Sequence, residues 1–182
     1  MSETTVKKDP STPTLVVVLF LICLVTALLL GLTNMITAPY IRANEWKTTQ
    51  EAMNAVLPAD SYDEVEYTGG DATVDAVYKA GDAGYVVQVS PPTSFSGNLT
   101  IMVGVDSSYA CTGISVTSTG ETSGLGSNAS RPSFADQFIG KTGTVAVTKD
   151  GGDINAITGA TITSRGVCEA VNSAIAVAES MG

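Results

Sequence analysis

The stretch Ile157-Thr158-Gly159-Ala160-Thr161-Ile162-Thr163-Ser164 decides how this chain is read. Gly159 and Ala160 strip the backbone of side-chain bulk, so a turn there can lie directly against a planar or phosphorylated group. Thr161 offers a hydroxyl from that turn, and Thr163 and Ser164 offer two more close by. Downstream, Val167, Val171, Ala174, Ile175 and Ala178 recur at helical spacing. A helix opening near Ser164 would aim its unpaired N–H groups and positive dipole end at whatever Thr161 carries. That is a phosphate-binding arrangement. The same residues also fit a plain capped helix after a tight turn.

Working outward, the 182 residues leave room for one membrane segment and one domain of ordinary size. The chain contains no histidine, which excludes His-based zinc sites, haem ligation through His and the Ser-His or Cys-His nucleophile pairs. Chemistry must therefore come from a cofactor, carboxylates or hydroxyls. A net charge of −9 makes nucleic acid a poor partner. Of three cysteines, Cys23 lies in an apolar run, and Cys111 and Cys168 pair only if the fold brings them together. No C-x-x-C pair is present, and no metal site is expected.

Residues 1–13 read as a polar tail. Leu15 to Leu32 is apolar apart from Thr26 and Gly31, and no charge occurs between Asp9 and Arg42. That run is long enough to cross a hydrocarbon core of about 30 Å, and no convincing A-x-A cleavage site follows it. The expected order is a tail over 1–13, a transmembrane helix over 14–37, a connecting helix over 38–60 and a domain over 61–182. Pro39 is expected to kink or end the membrane helix. Lys7 and Lys8 on one side balance Arg42 and Lys47 on the other, so charge leaves the orientation open. Within the domain, Val74–Lys79 and Tyr85–Val89 flank Gly81-Asp82-Ala83-Gly84 as a hairpin, and Leu99–Val105 and Thr112–Thr117 flank a second turn. Val145 and Val147 suggest a further strand, and a short helix is expected near Ser133–Ile139. Helices around a strand-rich middle give an α+β domain with one main sheet.

Two near misses to nucleotide motifs fail on context. Gly124-x-Gly126-x-x-Ala129 has dinucleotide-fingerprint spacing, but Asn128, Ser130 and Pro132 keep a helix from opening there. Ala135-x-x-x-x-Gly140-Lys141-Thr142 lacks the first glycine of a P-loop. Asn98-Leu99-Thr100 and Asn128-Ala129-Ser130 fit the glycosylation pattern and are treated as chance matches.

Thr158-Gly159-Ala160-Thr161-Ile162-Thr163-Ser164 resembles the S/T-G-A-T-x-T-S motif of FMN-binding domains in the Rnf and sodium-pumping NADH:quinone reductase complexes. In that family a flavin transferase joins the FMN phosphate to the threonine hydroxyl as a phosphoester. The matching residue is Thr161, with Thr158, Gly159, Ala160, Thr163 and Ser164 around it. Glu121-Thr122-Ser123-Gly124-Leu125-Gly126 resembles the family's E-T-P-G-L-G loop, with Ser123 in place of proline. The resemblance implies that Glu121, Thr122, Gly124 and Leu125 also line the flavin site. Phe134-x-x-Gln137-Phe138-x-Gly140-Lys141 and Val103-Gly104-Val105-Asp106 extend the match over about Tyr85 to Val171. Anchor and length fit the G subunit of the Rnf complex better than the longer reductase homologue. Two departures stand out. Asn155 replaces a frequent aspartate, with Asp153 nearby, and the glycine-rich turn near Phe95-Ser96-Gly97 is only partly kept. Lys141 and Arg165 are the candidate cations for offsetting phosphate and flavin charge.

This resemblance implies an α+β fold with a mainly antiparallel sheet behind a single transmembrane helix. The N-terminus would be cytoplasmic and the FMN domain extracytoplasmic, in a cell membrane. The implied function is electron relay through FMN on Thr161 within an ion-translocating ferredoxin:NAD oxidoreductase complex, the chain not being catalytic alone. Its implied partners are the other membrane and peripheral subunits and the flavin transferase. Two other readings stay open: a stand-alone anchored flavinylated electron carrier, and an anchored binding module with no redox role.

Overall fold

The computed structural model describes residues 12–95 and 99–182; the tail over 1–11 and Ser96, Gly97 and Asn98 lie outside the described residues, and with them part of the turn after Phe95 and of the first glycosylation match. The chain divides into two compact units, Met1–Trp46 and Lys47–Gly182.

Helix α1, Thr12–Val56, carries the apolar run, and its large side chains from Leu15 to Leu32 are exposed. Those eighteen residues rise about 27 Å, close to the thickness of a hydrocarbon core. Three threonine hydroxyls along this helix turn back onto it. Thr26 Oγ1 donates to the Ile22 carbonyl (2.9 Å), Thr33 Oγ1 to Leu29 (2.8 Å) and Thr37 Oγ1 to Thr33 (2.9 Å). Back-bonding of this kind satisfies a polar group where no water is available. The helix does not end at Pro39, which sits inside it. Proline's missing N–H costs the Met35 carbonyl its helical donor, but the turns on both sides continue.

The second unit is built on a five-stranded antiparallel meander in sequence order: β1 (Asp63–Val65), β2 (Val74–Lys79), β3 (Gly84–Val89), β4 (Leu99–Asp106) and β5 (Cys111–Thr119). Register follows from side-chain alternation, because the two faces meet different helices. Val86 and Met102 face the end of α1, where they pack with Met53, Val56 and Leu57. Val87, Val89, Ile101, Val103 and Val105 face the other way, onto helix α3, Thr161–Met181. β4 is therefore buried on both sides, which explains its nearly unbroken apolar run. The end of α1 lies flush on the sheet. Thr112 Oγ1 donates to the Val56 carbonyl at 2.5 Å, and a Cβ on Gly104 would stand 2.6 Å from the same oxygen.

The spacing of α3 is as the sequence predicts, with Val167, Val171, Ala174, Ile175 and Ala178 all buried. Its start is not. The helix opens at Thr161 rather than near Ser164. The strand expected at Val145 and Val147 is also absent among the described residues. The side-chain amide of Asn172 on α3 takes its place: Val145 N–H donates to Asn172 Oδ1 (2.7 Å), and Asn172 Nδ2 donates to the Val145 carbonyl (2.9 Å). Val147 then makes a lone parallel bridge to Ile154 before a 3-10 turn over Thr148–Asp150. The short helix near Ser133 is one α-turn, α2 (Pro132–Ala135), followed by a 3-10 turn over Asp136–Phe138.

At Gly166 the chain before β4 crosses α3 so closely that a Cβ would collide with the Thr93 carbonyl. A glycine inside a helix is ordinarily about 1 kcal/mol worse than alanine. Here the order should invert. Gly166→Ala is expected to lower stability by about 1–3 kcal/mol through overpacking, read by urea denaturation of the detergent-solubilised chain.

Candidate functional site

Two loops and one helix end meet beside α3. The loop after β5 brings Glu121, Thr122, Leu125 and Gly126; the turn before α3 brings Gly159, Ala160, Thr161, Ile162 and Thr163. With Phe95 and Lys149 they line a cleft of about 410 Å³. Small-molecule sites commonly occupy roughly 300–1,000 Å³.

The side chain that fixes this arrangement is Glu121, 8% exposed. Its Oε1 accepts the Phe95 N–H (3.0 Å) and its Oε2 accepts the Thr163 hydroxyl (2.9 Å). One carboxylate thus ties the loop after β5 to the segment before β4 and to the first turn of α3. Room for this exists because residue 126 is glycine, where a Cβ would stand 2.5 Å from Glu121 Oε2 and 2.8 Å from Thr163 Oγ1. The loop closes on itself as well. Gly124 N–H donates to Ser127 Oγ (2.9 Å), and Asn128 Nδ2 donates to the Gly124 carbonyl (2.7 Å).

The turn before α3 is equally specified. Gly159 has φ +77°, a left-handed conformation that other residues adopt only with strain, and a Cβ there would stand 3.1 Å from Leu125 Cδ2. Ser164 is fully buried; its hydroxyl donates to the Ala160 carbonyl (2.9 Å) and accepts the Ile157 N–H (3.0 Å), so it serves the turn. Ala160 caps α3 without a side-chain hydrogen bond. The N–H groups of Thr161, Ile162 and Thr163 consequently have no intrahelical carbonyl to receive them, while the Ser164 N–H already donates to the Ala160 carbonyl (3.0 Å).

The hydroxyls of the motif fall into distinct classes. Thr163 is engaged by Glu121 and Ser164 by the backbone. Thr158 is exposed and lines a neighbouring groove with Gly124, Asn128, Arg131, Gln137 and Asn155. Thr161 lines the main cleft, half-buried, and no hydrogen bond of its hydroxyl occurs among the described residues.

Of the ten residues singled out from sequence, Glu121, Thr122, Leu125, Gly159, Ala160, Thr161 and Thr163 line the main cleft. Thr158 and Gly124 lie on the far side of the same loops, and Ser164 lies beneath them. Phe95, Gly126, Ile162 and Lys149 are additions. Ile162 occupies the open position of the T-G-A-T-x-T-S motif, and Phe95 begins the partly kept turn; nothing in the local sequence marks Lys149. Phe95 (69% exposed), Leu125 (43%) and Ile162 (46%) give the cleft an apolar rim. Exposed apolar groups gathered around a cavity fit a planar ligand better than water.

Neither expected cation serves the cleft. Arg165 binds Asp150 with two bonds of 2.6 Å, and Lys141 pairs with Asp153. Those guanidinium and ammonium groups hold both carboxyls below their usual range. Both pairs are therefore present at neutral pH and are lost as pH falls through the depressed carboxylate values. Asn155 is held by Gln137, whose Oε1 accepts the Asn155 N–H at 2.8 Å. Cys111 and Cys168 are free and buried, and burial pushes their thiols up to about 11 and about 12.

The FMN-binding domain family matches residues 94–176. The chain is 34% identical to the G subunit of the ion-translocating oxidoreductase complex of Aliivibrio fischeri, covering 94% of this chain and 90% of that one. It is 33% identical to the G subunit of the Na(+)-translocating ferredoxin:NAD(+) oxidoreductase complex of Acetobacterium woodii, covering 90% of each. Among solved structures it resembles the C subunit of the Na(+)-translocating NADH-quinone reductase from Parabacteroides distasonis, with a TM-score of 0.47 and 25% identity over 71% of this chain and 79% of that one.

The Glu121 clasp gives a direct test. Glu121→Ala should strand the Thr163 hydroxyl and the Phe95 N–H at a cost of about 1–3 kcal/mol, and the Phe95 amide should exchange hydrogen faster. Glu121→Gln, which keeps an acceptor, should fall between the two.

Proposed function

This chain belongs to the G-subunit family of ion-translocating oxidoreductase complexes and is a flavoprotein subunit of that kind, and from that premise we propose that it holds FMN covalently on Thr161 and relays electrons between neighbouring subunits. The single observation that carries the attachment point is the sorting of hydroxyls. Thr161 alone among Thr158, Thr161, Thr163 and Ser164 both faces the main cleft and is left without a partner among the described residues. A nucleophile or ester oxygen must be unengaged and accessible, and Thr163 and Ser164 are neither.

The cleft fits the group. Gly126 and Gly159 keep backbone and Leu125 close without obstruction, the rim is apolar, and the first turn of α3, which carries Thr161, has N–H groups without intrahelical acceptors that would be available to a phosphate. Transfer of FMN to the Thr161 hydroxyl forms one P–O bond and breaks another at the same phosphorus, the hydroxyl proton being balanced by the departing group of the activated flavin that the transferase supplies; the net product is the chain plus FMN less one water. When bound, FMN supplies one- and two-electron redox chemistry; the protein's part is position, electrostatics and exclusion of water. Phe95, Leu125 and Ile162 would shield one edge of the flavin, while the rigid clasp at Glu121 keeps both loops in register.

The partners follow from the family: other membrane and peripheral subunits of an Rnf-type complex that moves electrons between ferredoxin and NAD, and a flavin transferase for maturation. α1 serves as a single-pass anchor in the cell membrane. The N-terminus is assigned to the cytoplasm and the FMN domain to the other side. α1 has no charged residue from Leu15 to Leu32, so it is a poor ion path and the translocation step belongs to other subunits.

Co-expression with a flavin transferase should add the mass of FMN less one water to the peptide carrying Thr161. Thr161→Ala should abolish that addition, whereas Thr158→Ser should keep it; flavin on Thr163 would refute the assignment.

For topology, Asp82→Cys places a thiol in the exposed β2–β3 turn. A membrane-impermeant maleimide should label it in intact cells, with Cys23→Ala as the background because Cys23 is exposed on α1 whereas Cys111 and Cys168 are buried. Labelling only after lysis would reverse the orientation.

A further inference from the structure

We propose that Lys149 is the positioning residue for the flavin phosphate, pairing its ammonium with the phosphodiester on Thr161 and leaving the apolar Phe95, Leu125 and Ile162 to the ring. This inference rests on Thr161 as the attachment point and adds the group that orients what is attached.

Lys149 is the one cationic side chain among the residues lining the cleft. The two cations that sequence reasoning would place there are already committed, Arg165 to Asp150 and Lys141 to Asp153. Lys149 forms no ion pair among the described residues; its neighbouring carboxylate, Asp150, gives both oxygens to Arg165 and feels the Lys149 charge only as a lesser attraction. Glu121, the carboxylate in the cleft, accepts from Phe95 N–H and the Thr163 hydroxyl.

The Asp150–Arg165 pair does more than remove a competitor. Arg165 lies four residues after Thr161 on α3, hence one turn along the same face. Its two bonds to Asp150 dock the 3-10 turn Thr148–Asp150 beside the start of α3, next to Thr161. Gly151, at φ +89°, and the close approach of Gly152 to the Ala146 carbonyl shape the return of that turn. Lys149 is thereby carried on a braced support rather than a free loop.

The charge count agrees. A phosphate monoester carries about −1.5 to −2 at neutral pH, whereas a phosphodiester carries a single negative charge with two free oxygens. One ammonium balances it, and the first-turn N–H groups of α3 can donate to the second oxygen. On a chain of net charge −9 an uncompensated anion would otherwise be repelled. Because Lys149 is exposed, the pair should affect where the flavin is held and its salt sensitivity, with little effect on global stability.

The test uses full-length protein, flavinylated by co-expression with a flavin transferase, as wild type, Lys149→Gln and Lys149→Arg. Intact mass first establishes FMN on Thr161; its absence there overturns the attachment reading and this proposal together. Flavin fluorescence anisotropy decay then reads the motion of the tethered ring, and phosphorus NMR reads the diester. In Lys149→Gln the population of freely moving flavin should rise by about two- to fivefold, and the phosphorus resonance should move. Lys149→Arg should restore both. Raising salt to about 1 M, where the Debye length is about 3 Å, should shift wild type toward the glutamine variant and leave that variant unchanged. Flavin on Thr161 with the same motion, resonance and salt response in wild type and Lys149→Gln overturns the role of Lys149 alone.

Discussion

A buried carboxylate with two backbone-distant partners holds the site together. Glu121 reaches the segment before β4 through the Phe95 N–H and the start of α3 through the Thr163 hydroxyl. Burying a carboxylate is costly unless its oxygens are hydrogen-bonded, so the surroundings must supply donors at both. That requirement propagates outward. It demands glycine at 126, it takes Thr163 out of contention for any other bond, and it fixes the distance between the two loops that form the cleft walls. Within the turn that opens α3, Thr161 is the cleft-facing hydroxyl left unengaged once Thr163 and Ser164 have been assigned.

The layered core supplies the rigidity behind this clasp. β4 is sandwiched between the end of α1 and α3, so Ile101, Val103 and Val105 support one helix while Met102 supports the other. α3 is in turn fixed by a face of buried Val, Ala and Ile and by the close crossing at Gly166. The N-terminal end of α3 is therefore positioned by packing along the helix as well as by the clasp at the cleft.

Much of this was legible in the sequence, for physical reasons that can be named. The apolar period of α3 and the alternation within β2 to β5 reflect burial on definite faces, and burial is what sequence patterns record best. The motif loops were legible because glycine answers to local steric limits, a Cβ clash with Glu121 at 126 and a left-handed φ at 159. The missing strand at Val145 was not legible: Asn172, twenty-seven residues away, mimics a neighbouring strand with its side-chain amide. The role of Lys149 was hidden for a similar reason. Which cation stays available depends on which carboxylates claim Arg165 and Lys141, and that pairing is a property of the folded chain. The start of α3 at Thr161 was missed for a different reason: it depends on the local turn over residues 157–160 that the buried Ser164 hydroxyl secures from within the helix, with no side chain at the N-cap to announce it.

The two buried cysteines have a consequence of another kind. A redox cofactor exposed to oxygen can leak peroxide, and peroxide attacks thiolates far faster than thiols. With their thiols pushed up to about 11 and about 12 by burial, Cys111 and Cys168 stay protonated and shielded at neutral pH. The domain can thus place cysteine in its packing, one on β5 and one on α3 two turns from Thr161, without offering a sulfur to be damaged by its own traffic of electrons.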